Sequence, residues 1–223
     1  SDVYKRQGFY NLEMSDKQVY ERLLSNQSGI QLNRIRRAVR FLGDEKERFE
    51  KANQELKEID ILISSGTKTV SEIRNESRHQ ELDCIVIDYL QLVRSDVKYQ
   101  SRASEVGAIS KAIKSLAMEL NIPIIALSQL NRTSEMRDNK EPTMGELREA
   151  GDIEQDASII ILLWNLDTND KTKKALKVDK NRQGELGKIV YRFQGNEMHF
   201  EETEEEAKAA ADGFQRAVTT PFD

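Results

Sequence analysis

Cys84-Ile85-Val86-Ile87-Asp88-Tyr89-Leu90-Gln91-Leu92 is the stretch whose reading decides the fold. Its first four residues are apolar without a break, two of the middle ones β-branched. That is the pattern of a strand covered on both faces in a parallel sheet. The run stops at a single carboxylate, Asp88. In open parallel sheets ligands gather at the carboxyl ends of the strands. An acidic group in that place is where a nucleotide-hydrolysing enzyme holds a magnesium ion, a hard cation that prefers oxygen ligands and keeps much of its water. The usual companion of such an acid, a Gly-x-x-x-x-Gly-Lys-Ser/Thr loop, occurs nowhere among the eleven glycines.

Working outward, the spacing predicts alternating strands and helices. Gly8 to Leu12 reads as a short apolar strand. Ser15 is a good N-cap for a helix over 16–24, and Asp16 suits its dipole. Helical stretches follow near Leu32 to Phe41 and Asp44 to Ile59, the second highly charged and placed on the outside. Ile61-Leu62-Ile63 is the next strand and Thr69 to Gln80 the next helix. After Asp88 comes a helix with apolar residues at Val106, Ile109, Ile113, Leu116, Ala117 and Leu120. Asn121 ends it, and Pro123 opens a second buried strand, Ile124 to Leu127, closing in Ser128-Gln129. Ser158 to Trp164 reads as a third buried parallel strand. Ala175 to Val178, Lys188 to Phe193 and Met198 to Glu201 then look antiparallel and are placed at the sheet's edge. The expected fold class is α/β, a mostly parallel sheet flanked by helices with antiparallel strands at its C-terminal edge. The expected division is 8–201 as the domain and 202–223 as an acidic tail.

Composition narrows the function classes. A chain of 223 residues with 38% apolar and 33% charged residues can bury one substantial core and is expected to be soluble. A net charge of −5 argues against bulk electrostatic binding of nucleic acid, though not against a local phosphate track. The single cysteine, Cys84, excludes an intrachain disulfide and reads as a small core hydrophobe. With no signal-peptide pattern and no run of membrane-spanning length, the cytoplasm is the expected compartment and no membrane partner is expected. His79 and His199 lack metal-ligand spacing. Arg34, Arg36, Arg37 and Arg40 read as a solvated helix face, with subunit contact as the second reading, and Trp164 as a packing residue rather than a base platform.

The strand ends carry the chemistry. Glu13, Asp88 and Gln129 each follow an apolar run; each alone recurs by chance, but together they could supply a base for an attacking water, an acid for magnesium, and an amide able to sense a phosphate oxygen. The segment 147–157 packs charges densely before a buried strand. It could present Arg148 and backbone amides around Gly151 to phosphates, or be a solvated capped helix. Lys180 and Arg182 flank a turn. They are either a hairpin tip or fingers reaching a neighbour's nucleotide.

Asn11-Leu12-Glu13-Met14, Ile87 to Leu92, Leu127-Ser128-Gln129-Leu130-Asn131-Arg132, Leu147 to Ala157 and Lys180-Asn181-Arg182, in that order, closely resemble the C-terminal motor domain of DnaB-like replicative DNA helicases. The resemblance runs from about Phe9 to Phe200. The strings fit the replicative helicases better than KaiC- or RadA-like relatives. It implies a RecA-like fold and a homo-hexameric ring around single-stranded DNA. ATP with magnesium would be hydrolysed at subunit interfaces, and a primase and a helicase loader would be partners. By motif, Glu13 would be the catalytic glutamate, Asp88 the magnesium-associated acid, and Gln129 the link between γ-phosphate and DNA loops. Arg148, Glu149 and Gly151 match the DNA-following loop. Lys180 and Arg182 match the pair inserted into the adjacent subunit's site. Two departures stand out. Asn11 replaces the family's usual Ser. The family's first core strand and phosphate-binding loop should precede Gly8, where the chain has only Ser1 to Gln7, a heptad expected to be foreign to the domain or disordered. On this reading the chain is a helicase fragment with little activity alone. The other reading is a non-catalytic RecA-like module that binds DNA or a helicase ring.

Overall fold

The computed structural model describes residues 6–37, 40–131, 141–147, 151–166 and 170–202. The elements in chain order are β1 (Gln7–Asn11), α1 (Asp16–Ser28), α2 (Leu32–Arg36), α3 (Glu45–Glu58), β2 (Ile61–Ser65), α4 (Val70–His79) and β3 (Cys84–Asp88). There follow α5 (Arg102–Leu120), β4 (Ile124–Ala126), α6 (Gly151–Asp156), β5 (Ile159–Asn165), β6 (Lys173–Asn181), β7 (Gly187–Gln194) and β8 (His199–Glu202).

The strands form two four-stranded sheets. The first has the order β2-β1-β3-β4 and is parallel throughout. The second, β5-β6-β7-β8, is antiparallel throughout. The apolar strand of the opening motif thus lies inside the parallel sheet, with Cys84, Ile85 and Ile87 buried. Cys84 is a free thiol in the core, and burial pushes its pKa up. Tyr10 on β1 is fully buried and shares a 3.1 Å hydrogen bond with the Ser77 hydroxyl on α4. Burial of that phenol drives its pKa up to about 12.

Helix ends follow the local sequence. Ser15 and Gln18 form a capping box at the start of α1, and Gly29 ends it at φ 63. Thr69 and Glu72 form a second box at α4. Asn121, at φ 54, stops α5 so that β4 can begin. The apolar stripe of α5 (Val106, Ile109, Ile113 and Leu116) is buried in one core with Tyr10, Ile73, Ile85, Ile87, Ile160 and Leu162. That core joins the two sheets. A second cluster, Leu24, Ala52 and Leu56, packs α1 against α3. The rest of α3 faces outward, as its charge requires.

Two expectations are corrected. Ser158 to Trp164 is not a third parallel strand: β5 pairs antiparallel with β6 and belongs to the second sheet. Its burial alternates, with Ile160 and Leu162 inside while Ile159, Ile161 and Leu163 are 56%, 48% and 52% exposed. The helix expected over 32–41 ends at Arg36. Arg34 turns instead to Glu45, at 2.7 Å, and donates to the Arg40 carbonyl. At the N-terminus β1 starts at Gln7, and Arg6 bonds to Asp60, Asp83 and the Gln80 carbonyl. At the other end β8 runs to Glu202, where the tail was expected to begin. The tail from 203 onward lies outside the described residues, as do residues 1–5. No described helix is long and apolar enough to cross a membrane.

Candidate active site at the strand ends

Parallel register sets the site. Asn11 at the end of β1 pairs with Asp88 at the end of β3, and Ile87 pairs with Ala126 of β4. Glu13, Asp88 and Gln129 therefore emerge at the same end of the sheet from three adjacent strands. The chain leaves β1 through a tight turn. The Leu12 N–H donates to the Asp88 carbonyl at 2.8 Å, and the Asn11 Oδ1 accepts the N–H groups of Glu13 at 3.2 Å and Met14 at 3.1 Å. This turn is the entry to α1. Glu13 is held between a strand end and a helix N-terminus, with its side chain exposed.

Asp88 is half-buried, and its pKa is raised. Burial is the chief cause, the Glu13 charge adds to it, and the Arg22 guanidinium on α1 opposes both. Two carboxylates thus share one corner of the sheet, one of them poorly hydrated. An oxygen-preferring divalent cation relieves that strain. Among the described residues no cluster of three or more His, Cys, Asp or Glu could enclose a metal ion. A lone carboxylate of this kind would suit magnesium, a hard cation that takes oxygen ligands and keeps much of its water. On the floor of the site Asn11 is fully buried and its Nδ2 has no hydrogen-bond partner.

The third strand end is tied to the second. Gln91, on a single 3-10 turn over Leu90–Leu92, donates from Nε2 to Ser128 Oγ at 2.9 Å, and its Oε1 accepts the Gln129 N–H at 3.3 Å. The Gln129 side chain is exposed beside this contact. Sequence reasoning missed Arg22 and Gln91. Gln91 sits inside the quoted opening motif, but its partner lies 38 residues away across the sheet. Arg22 is marked only by its place on the helix that Glu13 leads into.

The remaining candidates lie elsewhere. Arg148 and Glu149 are outside the described residues, and Gly151 opens α6. This short helix is docked on α5: Lys111 pairs with Asp152 at 3.2 Å and Ser110 donates to Asp156 at 2.7 Å. Gly107 makes the approach possible, because a Cβ there would overlap the Asp152 carboxylate. Lys180 and Arg182 cap the far end of α6. Lys180 donates to the Glu154 carbonyl and Arg182 to that of Gln155 at 2.6 Å. The contacts of both cations are thus with α6 rather than with the carboxylate pair.

Comparison with known proteins identifies the family. A family described as "DnaB-like helicase C terminal domain" matches residues 2–202. A "Probable plasmid replicative DNA helicase" of Chlamydia psittaci is 36% identical over 198 residues, covering 85% of this chain and 43% of that protein. "Replicative DNA helicase DnaB" of Rickettsia felis is 41% identical over 163 residues, 70% of this chain and 33% of its own length. The chain thus spans less than half the length of these curated relatives. Among solved structures, one described as an ATPase domain superposes with a TM-score of 0.84 at 30% identity, covering 90% of this chain and 75% of that one. A KaiC-like protein from Pyrococcus horikoshii, at 14% identity and a TM-score of 0.56, shares the fold alone. With the match spanning nearly all of both sheets, the chain belongs to the DnaB-like helicase C-terminal domain family.

Proposed function

We propose that this chain is the motor portion of an ATP-driven replicative DNA helicase that moves along single-stranded DNA and hydrolyses ATP at the interfaces of a homo-hexameric ring. The observation that carries the reading is the meeting of Glu13 and Asp88 at adjoining parallel strand ends, with Gln129 just past the end of the next strand. Asp88 would hold the magnesium ion through water, and the ion would supply neutralisation of the phosphate charge. Glu13, fixed by the Asn11 turn, accepts a proton from the attacking water. Gln129 reports the presence of the γ-phosphate. Lys180 and Arg182 reach the neighbouring copy's nucleotide once released from α6. Cations supplied in this way are worth about 10³–10⁵ in rate. The 223 residues hold no Gly-x-x-x-x-Gly-Lys-Ser/Thr string, the pattern whose backbone amides and lysine cradle β- and γ-phosphates. The work is cytoplasmic. A primase and a loader are the proposed partners; one structural neighbour, a DnaB-like replicative helicase, is described together with its interactions with primase.

The segment of Arg148, Glu149 and Gly151 follows the DNA backbone, chiefly through phosphate contacts from Arg148 and backbone amides that position without reading sequence. In a ring-forming polypeptide that joins this chain to a phosphate-binding loop, Arg148→Ala weakens single-stranded DNA binding equally for all sequences. It also lowers the slope of log affinity against log salt by about 0.7. Affinity equal to the parent's across a salt titration, read by fluorescence anisotropy, contradicts the DNA assignment.

A further inference from the structure

Both ends of the Gln91 amide are used on the neighbouring strand end. One holds Ser128, the other the backbone of Gln129. This clamp is not what aligns β3 with β4. The strands are already tied there by main-chain bonds, from the Leu127 N–H to the Ile87 carbonyl at 2.9 Å and from the Leu90 N–H to the Leu127 carbonyl at 2.8 Å. What the amide adds is the orientation of the Ser128–Gln129 peptide relative to the turn that follows Asp88. The Gln91 carbonyl accepts from Arg102, at the start of α5, so the clamp is itself braced by the helix that carries α6. Because Ser128 Oγ accepts from Gln91, its own hydroxyl hydrogen is directed away from that contact.

From these contacts we infer that Gln91 is a positioning residue, whose amide fixes the backbone from which the Gln129 side chain projects at this end of the sheet. This rests on the proposed role of Gln129 as the γ-phosphate reporter. The Gln91 amide is engaged by Ser128 and the Gln129 backbone. It acts through the Gln129 backbone, so its loss degrades the coupling of turnover to DNA without removing a group that binds ATP.

Gln91→Leu fills the same volume without an amide. Gln91→Glu keeps the acceptor for the Gln129 N–H, and the Ser128 hydroxyl can turn to donate to it. In the 223-residue chain, hydrogen exchange at the Gln129 amide is expected to accelerate in Gln91→Leu and to return towards the parent in Gln91→Glu. Unchanged exchange in the Leu variant overturns the clamp. In the ring-forming polypeptide, DNA-stimulated kcat is expected to fall up to about tenfold in Gln91→Leu, with KM for ATP within about twofold and recovery in Gln91→Glu. Gln129→Ala, measured alongside, separates the two ideas. If it abolishes DNA stimulation while Gln91→Leu does not lower it, the inference fails alone. If Gln129→Ala leaves stimulation intact, the reporter role fails, and the inference with it.

Discussion

Asp88 is caught between burial and the negative charge of Glu13, with Arg22 offering partial relief. Its raised pKa has a direct consequence for stability. The folded chain holds the Asp88 proton more tightly than the unfolded chain does, so ionising it weakens the fold. Stability therefore declines as pH rises from the ordinary value of 3.8 through the raised folded value. Asp88→Asn removes the charge at nearly the same shape. The variant is expected to have a higher Tm than the parent at neutral pH, and the gap should close below pH 3.8, where both side chains are neutral. Magnesium at neutral pH should raise the parent's Tm and not the variant's. Calorimetry across pH, with and without magnesium, checks this; a variant less stable than the parent at neutral pH contradicts the account of the site's electrostatics. The neighbouring Asn11 shows the opposite economy of charge. Its neutral oxygen takes two backbone donors, so the turn that carries Glu13 is built without a third carboxylate in the corner.

At the scale of elements, caps and packing act separately. Thr69 and Glu72 satisfy each other's backbone donors at the head of α4, at 3.2 and 2.7 Å, and Ile73 then enters the core fully buried. Thr69→Ala is expected to cost about 1 kcal/mol. Urea titration should show a lower midpoint with an unchanged m-value; no shift would mean that tertiary packing alone sets the start of α4. The same local signals made much of the fold legible. Ser15, Thr69, Asn121 and Pro123 punctuate helices and strands at the places expected, and the α5 stripe faces the core as its spacing requires. Strand direction was not legible. The run of five apolar residues from Ile159 to Leu163 says that both faces are greasy, but nothing in it names the direction of its partner, and β5 runs antiparallel to β6. For the same reason Glu13, Asp88 and Gln129 were visible, each at the end of an apolar run, whereas Gln91 and Arg22 were not. Their contacts depend on the order β2-β1-β3-β4 and on where α1 lies, neither of which spacing encodes.

At the scale of the molecule, the described residues form two four-stranded sheets sharing one core, with the carboxylate corner at one end of the parallel sheet. Among the described residues β4 and β5 each pair on one side only. Ile125 and Leu127 near that edge of the first sheet, like Ile159, Ile161 and Leu163 on the second, stay largely exposed. Apolar strands left open in this way pair readily with other chains. The chemistry is therefore best read in the ring-forming polypeptide that carries a phosphate-binding loop. There the central claim is that the corner formed by Glu13 and Asp88 hydrolyses ATP. The measurement is single-turnover hydrolysis alongside equilibrium ATP binding in Glu13→Gln, which keeps the shape of the side chain and removes its basicity. The account predicts parental ATP affinity with hydrolysis slower by about 10²–10⁴-fold. Hydrolysis at the parental rate, or loss of binding and hydrolysis in equal measure, would contradict it.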